Sequence, residues 1–333
     1  MPADTPQPFR LAREIKVWPL LRAALALAPF VVLALATGEA IWMKASLLAI
    51  ATTIAEDKLA LRPAGVIAHG LAIIAGTWLL LLAERVPAFF VLACMLLAAG
   101  VILLASRGKK LRALGNWTFI PVLILANELH GGRSVDALLR AAPVSLPYLL
   151  LALVPAALSA HLRSRGKPAA RWSNLDDFGA RAPLSEDLAA MLAAVGIAAA
   201  MVVHWQMERP QWVIWGAASI VTGAVDTARD KLKNRGFGVI VGVPLGIVLG
   251  RYAVPHSSMA VTLATLAVFL TLVAFERYVV AYFFRCVFVA LAIMLANQSV
   301  GDAFERLTHV LAGGVIGFAC VLGAHALKSR LSR

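Results

Sequence analysis

Long stretches of this chain carry no charged side chain at all, among them 23–38, 86–106, 113–127, 188–203, 236–250 and 257–275. Runs of roughly 17–25 apolar residues match the ~30 Å hydrocarbon core of a bilayer. Across 333 residues, 61% are hydrophobic and 15% charged, with a mean hydropathy of +0.82. A soluble domain holds about 45–50% apolar and 25% charged residues. The expected fold is therefore all-α and polytopic, with the bilayer as one partner.

Twelve spans are expected, at 17–38, 41–55, 63–83, 87–106, 113–128, 143–161, 187–206, 211–225, 236–252, 257–275, 279–297 and 304–326. Residues 1–16 are polar and proline-rich, with no cleavage site after a short apolar core, so the first run reads as a retained helix. The net charge of +13 follows from 31 basic against 18 acidic residues. With the N-terminus in the cytoplasm and the spans alternating, 24 basic residues fall inside and seven outside, the acidic ones dividing 11 and seven. That is the positive-inside pattern, both termini cytoplasmic, and it accounts for the basicity without a nucleic-acid partner.

The polar stretch 162–186 divides the chain into a first repeat (1–161), a cytoplasmic linker and a second repeat (187–333). Trp42 and Trp212 open corresponding spans, and the charged runs "AEDKLALRPAG" and "DTARDKLKNRGFG" end at Arg62 and Arg235. The second run is expected as a loop, with Arg235 marking the membrane surface. Beyond each arginine comes a small-residue stripe: Ala64, Ala68, Ala72 and Gly76 in one half, Gly238, Gly242, Gly246 and Gly250 in the other. "LANE" at 125–128 then matches "LANQ" at 295–298. Six spans per half make the repeats parallel, and in such transporters substrate sites lie at the repeat interface. The stripes allow close helix approach in lipid, either for packing or beside a pore.

These residues resemble the fusaric acid resistance protein family, which includes bacterial aromatic acid exporters and has the plant aluminium-activated malate channels as distant relatives. The pattern is a Trp-initiated span, a charged turn and Arg-Gly-x-Gly, here "WVIWGAASIVTGAVDTARDKLKNRGFGVIVGVPLGIVLG" at 212–250, followed by "LANQSVGDAFERLTHVLAGGVIG". The first half is a weaker copy, with Pro63 in place of the first glycine. Many relatives carry large soluble domains after each half, where this chain has a linker of about 25 residues. The resemblance implies export of small organic anions, aromatic carboxylic acids above all, across a bacterial inner membrane at the expense of the proton gradient. For some relatives it also implies a periplasmic adaptor protein. One chain could enclose the pathway, or a homodimer could.

Candidate pathway residues follow, each with a structural alternative. Arg62 and Arg235 suit a bidentate grip on carboxylates or anchor the inner face. Asn127 and Asn297 end matching spans, where they line a pathway or cap helices. Glu128, beside Asn127, is a candidate proton carrier; its counterpart Gln298 does not titrate. Lys44 attracts anions or snorkels to the interface. Trp42 and Trp212 stack on substrate or belong to an interfacial belt, and they open paired short spans of the kind that form discontinuous-helix sites. Arg285 lies too deep for a lipid-facing side chain and is expected to face the bundle. His69 is a candidate proton relay or a packed structural histidine.

Cys94, Cys286 and Cys320 lie in apolar runs with no ligand spacing around them, so neither a disulfide framework nor a metal is expected. Nucleophile, zinc-protease and phosphate-loop motifs are missing. An enzyme is disfavoured, no cofactor is expected, and a passive anion channel or a non-transporting assembly protein are the competing readings.

Overall fold

The computed structural model describes residues 14–131, 134–166, 172–175, 177–180, 184–296 and 299–331. Among them are thirteen α-helices and no strand: α1 (Val17–Thr37), α2 (Ile41–Leu59), α3 (Pro63–Ala83), α4 (Pro87–Arg107), α5 (Leu111–His130), α6 (Val135–Leu151), α7 (Val154–Ser164), α8 (Ser185–His204), α9 (Gln211–Ile220), α10 (Val225–Tyr252), α11 (Ser258–Leu270), α12 (Tyr278–Leu295) and α13 (Val300–Leu331). Each expected span has helix at its place. The sixth is broken into α6 and α7 ahead of Pro155, whose missing N–H cannot bond back to Leu151. Among the described residues, eight apolar segments are long enough to cross a bilayer: α1, α3, α4, the stretch 144–164, α8, α10, α12 and α13. The others, α2, α5, α9 and α11, are shorter or more polar.

The exterior is apolar, as lipid requires. Leu25, Val32, Phe89, Leu96, Ile240 and Val315 are each at least half exposed. The interior instead is rich in buried alanine and glycine, the residues that let helices approach closely where lipid supplies no hydrophobic drive. The second half shows this most clearly. A side chain at Gly238, Gly242, Gly246 or Gly250 of α10 would run into Tyr282, Cys286, Ala290 or Met294 of α12 respectively. Four glycines spaced by four thus mesh with four α12 residues at the same spacing. On α13, Gly313 and Gly317 sit against the α9 carbonyls of Val213 and Ala217 in the same way.

Three expectations are corrected. The charged run 226–235 is not a loop. It forms the first turns of α10, whereas its counterpart closes α2, with Ala60 in the left-handed region (φ 45) and Pro63 restarting the chain as α3. Nothing in "KNRGFG" forbids helix, so the second copy continues; Pro63 obliges the first to stop. Second, Arg235 does not mark the surface. It is 1% exposed, inside the bundle. Third, Ala64, Ala68 and Ala72 face outward, and only Gly76 of that stripe is buried. The buried face of α3 runs through Gly65, His69, Ile73 and Thr77. These are the positions that align with the four α10 glycines when Arg62 is matched to Arg235.

Helix packing repeats between the halves. The pairs α1–α2, α3–α5 and α4–α5 have counterparts in α8–α9, α10–α12 and α11–α12. Across the halves, α4 packs on α8 and α11 packs on α1, as an exchange of the two halves would give. The ion pairs sort the same way. Lys16–Glu276, Arg22–Glu56, Arg112–Asp187, Arg277–Glu14 and Lys328–Glu186 join groups assigned to one face. Arg85–Asp136, His130–Glu84 and Arg209–Asp302 join groups assigned to the other. No ion pair among the described residues mixes the two sets. Burial pushes the Glu84 carboxyl above its ordinary value, and His130 works against that shift.

The α10–α12 seam yields a stability prediction. Gly246→Val would drive a side chain into the Val287 carbonyl, and overpacking of this kind costs about 1–3 kcal/mol. Thermal unfolding of the detergent-solubilised protein is expected to show a drop of several degrees. Gly100→Ala, where a methyl meets nothing within 4 Å, should leave the midpoint unchanged or raise it.

Candidate functional site

A cavity of about 1100 Å³ opens between the halves, walled by α1, α2 and α5 on one side and α9, α11 and α12 on the other. Its ends are charged: Lys16, Arg22, Asp57, Lys58, Arg112, Lys231 and Glu276 at one, Glu39, Lys44, Glu128, Arg209 and Arg306 at the other. Between them the wall is apolar and aromatic, with Trp117, Ile124, Trp215, Val268 and Phe269. Arg285 reaches this middle zone.

Four cations of the second half lie against aromatic rings. Arg285 donates through Nε and Nη2 to the hydroxyl and carbonyl of Thr271, at 3.3 and 3.2 Å. Its guanidinium stands 5.9 Å from the Tyr282 ring centroid. Arg235 lies between Trp215 and Tyr282, at 4.9 and 5.0 Å from their centroids, and donates to the Tyr282 hydroxyl at 3.2 Å. Its Nε and Nη1 are buried without a hydrogen-bond partner. Arg306 packs 5.0 Å from the centroid of Trp212, its Nε likewise unpartnered. Lys231 sits 5.9 Å from the Tyr278 centroid, and Tyr278 stacks on Tyr282. Arg235, Arg285 and Arg306 are 1, 9 and 3% exposed, and no described carboxylate pairs with any of them.

Aromatic contacts alone do not offset the burial of these charges. A buried charge costs several kcal/mol even after relaxation. A desolvated cation–π contact returns about 2 kcal/mol. Aromatic faces therefore hold the guanidinium groups in place without neutralising them, and a negative charge entering the cavity meets a prepared positive field.

The expected residues divide by position. Lys44, Arg285, Trp212 and Glu128 line the cavity. Lys44 donates to the Glu128 backbone carbonyl, and the Glu128 side chain is exposed at the cavity's end. Arg235 is set behind the wall, against Trp215. Arg62 is elsewhere: it bonds Asn174 of the linker at 2.7 Å and begins α3. Asn127 does not line the cavity; its carbonyl accepts from Gly131 at the end of α5. Trp42 packs edge-on against Tyr148, off the wall. Asn297 lies outside the described residues.

His69 faces a second, lateral cavity of about 440 Å³ between α3, α4 and α5. One ring nitrogen faces the Trp117 carbonyl short of full hydrogen-bond geometry. Pro121, four residues on, has no N–H to offer that carbonyl. Cys94, Cys286 and Cys320 are free thiols. Carboxylate oxygens of Glu208, Asp302 and Glu305 lie within 4.8 Å of one another, with Arg209 bonded to two of them as their cation.

Sequence reasoning missed Lys58 and Lys231. Both line the cavity, and they occupy matching places in "DKLALR" and "DKLKNR", four residues before Arg62 and Arg235. The shared D-K-L-x-x-R register was the available signal. It also missed the break after α9. Residues 221–224 are unwound, Gly223 has φ 96, and Arg112 of the first half donates to the Val221 carbonyl. Paired short spans are thus not what forms: α2 has 19 residues and α9 has 10. Ten residues rise ~15 Å, half of a bilayer core.

Residues 193–320 match the family model described as fusaric acid resistance protein-like. The matched stretch encloses the whole arginine–aromatic cluster, from Arg209 to Arg306. No curated protein and no solved structure matches the chain.

A clamp at the Lys16 end of the cavity gives a second prediction. Glu56, 1% exposed, accepts from Arg22 and from Arg163 at 2.7 Å each, tying α1, α2 and the end of α7 together. Removing one member of a buried ionic cluster costs about 3–5 kcal/mol. Glu56→Ala is therefore expected to unfold at markedly lower temperature or denaturant. Asp57→Asn, at a side chain 42% exposed, should change stability by less than about 1 kcal/mol.

Proposed function

We propose that this protein moves small organic anions across a bacterial inner membrane through the cavity between its halves. The observation that carries the reading is the set of buried cations without carboxylate partners beside an apolar, aromatic wall. The fusaric acid resistance protein-like match over the same residues supports it.

In this reading the chain is two parallel six-helix bundles, 1–161 and 187–333, joined by the linker. The recurring helix pairs and the sorted ion pairs favour that arrangement. The basic excess puts the Lys16–Arg112 end and both termini in the cytoplasm. Lys58, Lys231 and Arg112 then draw anions to the inner mouth. Arg285 receives the carboxylate midway while Trp117, Trp215 and Phe269 cover an aromatic or aliphatic body. Arg306 and Lys44 guide it out. Export is the direction in which a negative-inside potential pulls an anion, and coupling to protons would add to that force. Glu128 is one of the carboxylates on the wall available for such coupling; His69, in its separate cavity, is the weaker candidate.

Flux of a labelled aromatic carboxylate from proteoliposomes tests the pathway. Arg285→Ala is expected to lower the rate at least tenfold in well-folded protein, and Arg62→Ala to leave it within twofold. Equal rates for wild type and Arg285→Ala would remove the cavity from the mechanism. Collapse of the proton gradient separates the two modes: a coupled exporter stops, whereas a passive channel continues to follow voltage.

A further inference from the structure

The buried cations of the cavity say more about its ligand than that it is negative. Arg285 and Arg306 are on the wall, each at least nine-tenths buried, and neither meets a described carboxylate. Lys231 is also on the wall, with the Tyr278 ring as its neighbour. Arg235 adds a fourth positive charge just behind Trp215, with two buried donors unsatisfied. Arginine does not release its proton in a protein, so at least three of these four charges persist at any physiological pH. Tyr282 lies among them, touching Arg235 and Arg285, and supplies a ring and a hydroxyl but no charge.

One carboxylate placed here would neutralise one cation and leave its neighbours repelling each other. A ligand with two carboxylates meets Arg285 with one and Arg306 with the other. Charge repulsion inside the cluster then becomes attraction to the ligand. The cavity has room for such a molecule at about 1100 Å³. Resting on the reading of this cavity as an anion pathway, we infer that its preferred ligand is an organic dianion. Selectivity for two charges over one is set by Arg306 acting together with Arg285.

Binding to the purified full-length protein, measured by calorimetry, compares benzoate as a monoanion with terephthalate and succinate as dianions. At least one dianion is expected to bind tenfold or more tighter than benzoate, with the gap widening as salt is lowered. Arg306→Gln is expected to weaken dianion binding more than benzoate binding and to shrink that ratio to about threefold or less. The wild-type series stands by itself should the variant fold poorly. Benzoate binding as tightly as both dianions would overturn the inference and leave the anion pathway standing. Absence of binding by all three, together with absence of carboxylate flux in proteoliposomes, would overturn the pathway itself.

Discussion

The seam between α10 and α12 is the contact on which the site depends. Four glycines remove every side chain from one face of α10, so that the backbones approach and Tyr282, Cys286, Ala290 and Met294 fill the space. Because the two helices lie so close, Arg235 at the foot of the stripe is forced against the Tyr282 ring. Tyr282 in turn backs Arg285, three residues along the same helix. A wider seam would let water reach both guanidinium groups and weaken the field they project into the cavity, since the same charges act far more strongly away from bulk solvent.

Cation–π packing is the means by which this protein keeps positive charge at membrane depth without cancelling it. An aspartate beside Arg285 would stabilise the arginine and extinguish the site. Tryptophan and tyrosine hold a guanidinium in position through the ring's quadrupole while leaving its charge intact. All of these arrangements lie in the second half. The corresponding face of α3 carries His69, Ile73 and Thr77 where α10 has glycine, and α5 places Gly115 where the "LAN" alignment puts Arg285. Among the described residues, the buried cations set against aromatic rings thus belong to one half alone.

Much of the fold was legible because lipid imposes strong rules. Uncharged runs located the helices, and the distribution of lysine and arginine assigned them to two faces that the ion pairs respect. Arg285 could be placed inside the bundle from depth alone. The depth of Arg235 could not be read, because six charges in the ten residues 226–235 suggest a solvated loop, and only the structure reveals a helix continuing through them. Ala64, Ala68 and Ala72 misled for a related reason: small residues at a spacing of four look alike whether they face a helix or lipid. The interruption after Ile220 left little trace, since "VTGAV" contains no proline and a single glycine.

Pro63 has a consequence for direction. In the proposed reading of two repeats, equal halves would enclose a passage that treats both ways through it alike. Here one charged hexapeptide terminates a helix in the first copy, while its twin launches a helix in the second, because the first is followed by an imino acid and the second is not. Lys58 and Lys231 consequently hang from different scaffolds, a helix end and a helix beginning, so whatever flexes at the mouth can release one before the other. In the proposed transport, that inequality would favour one direction over the other.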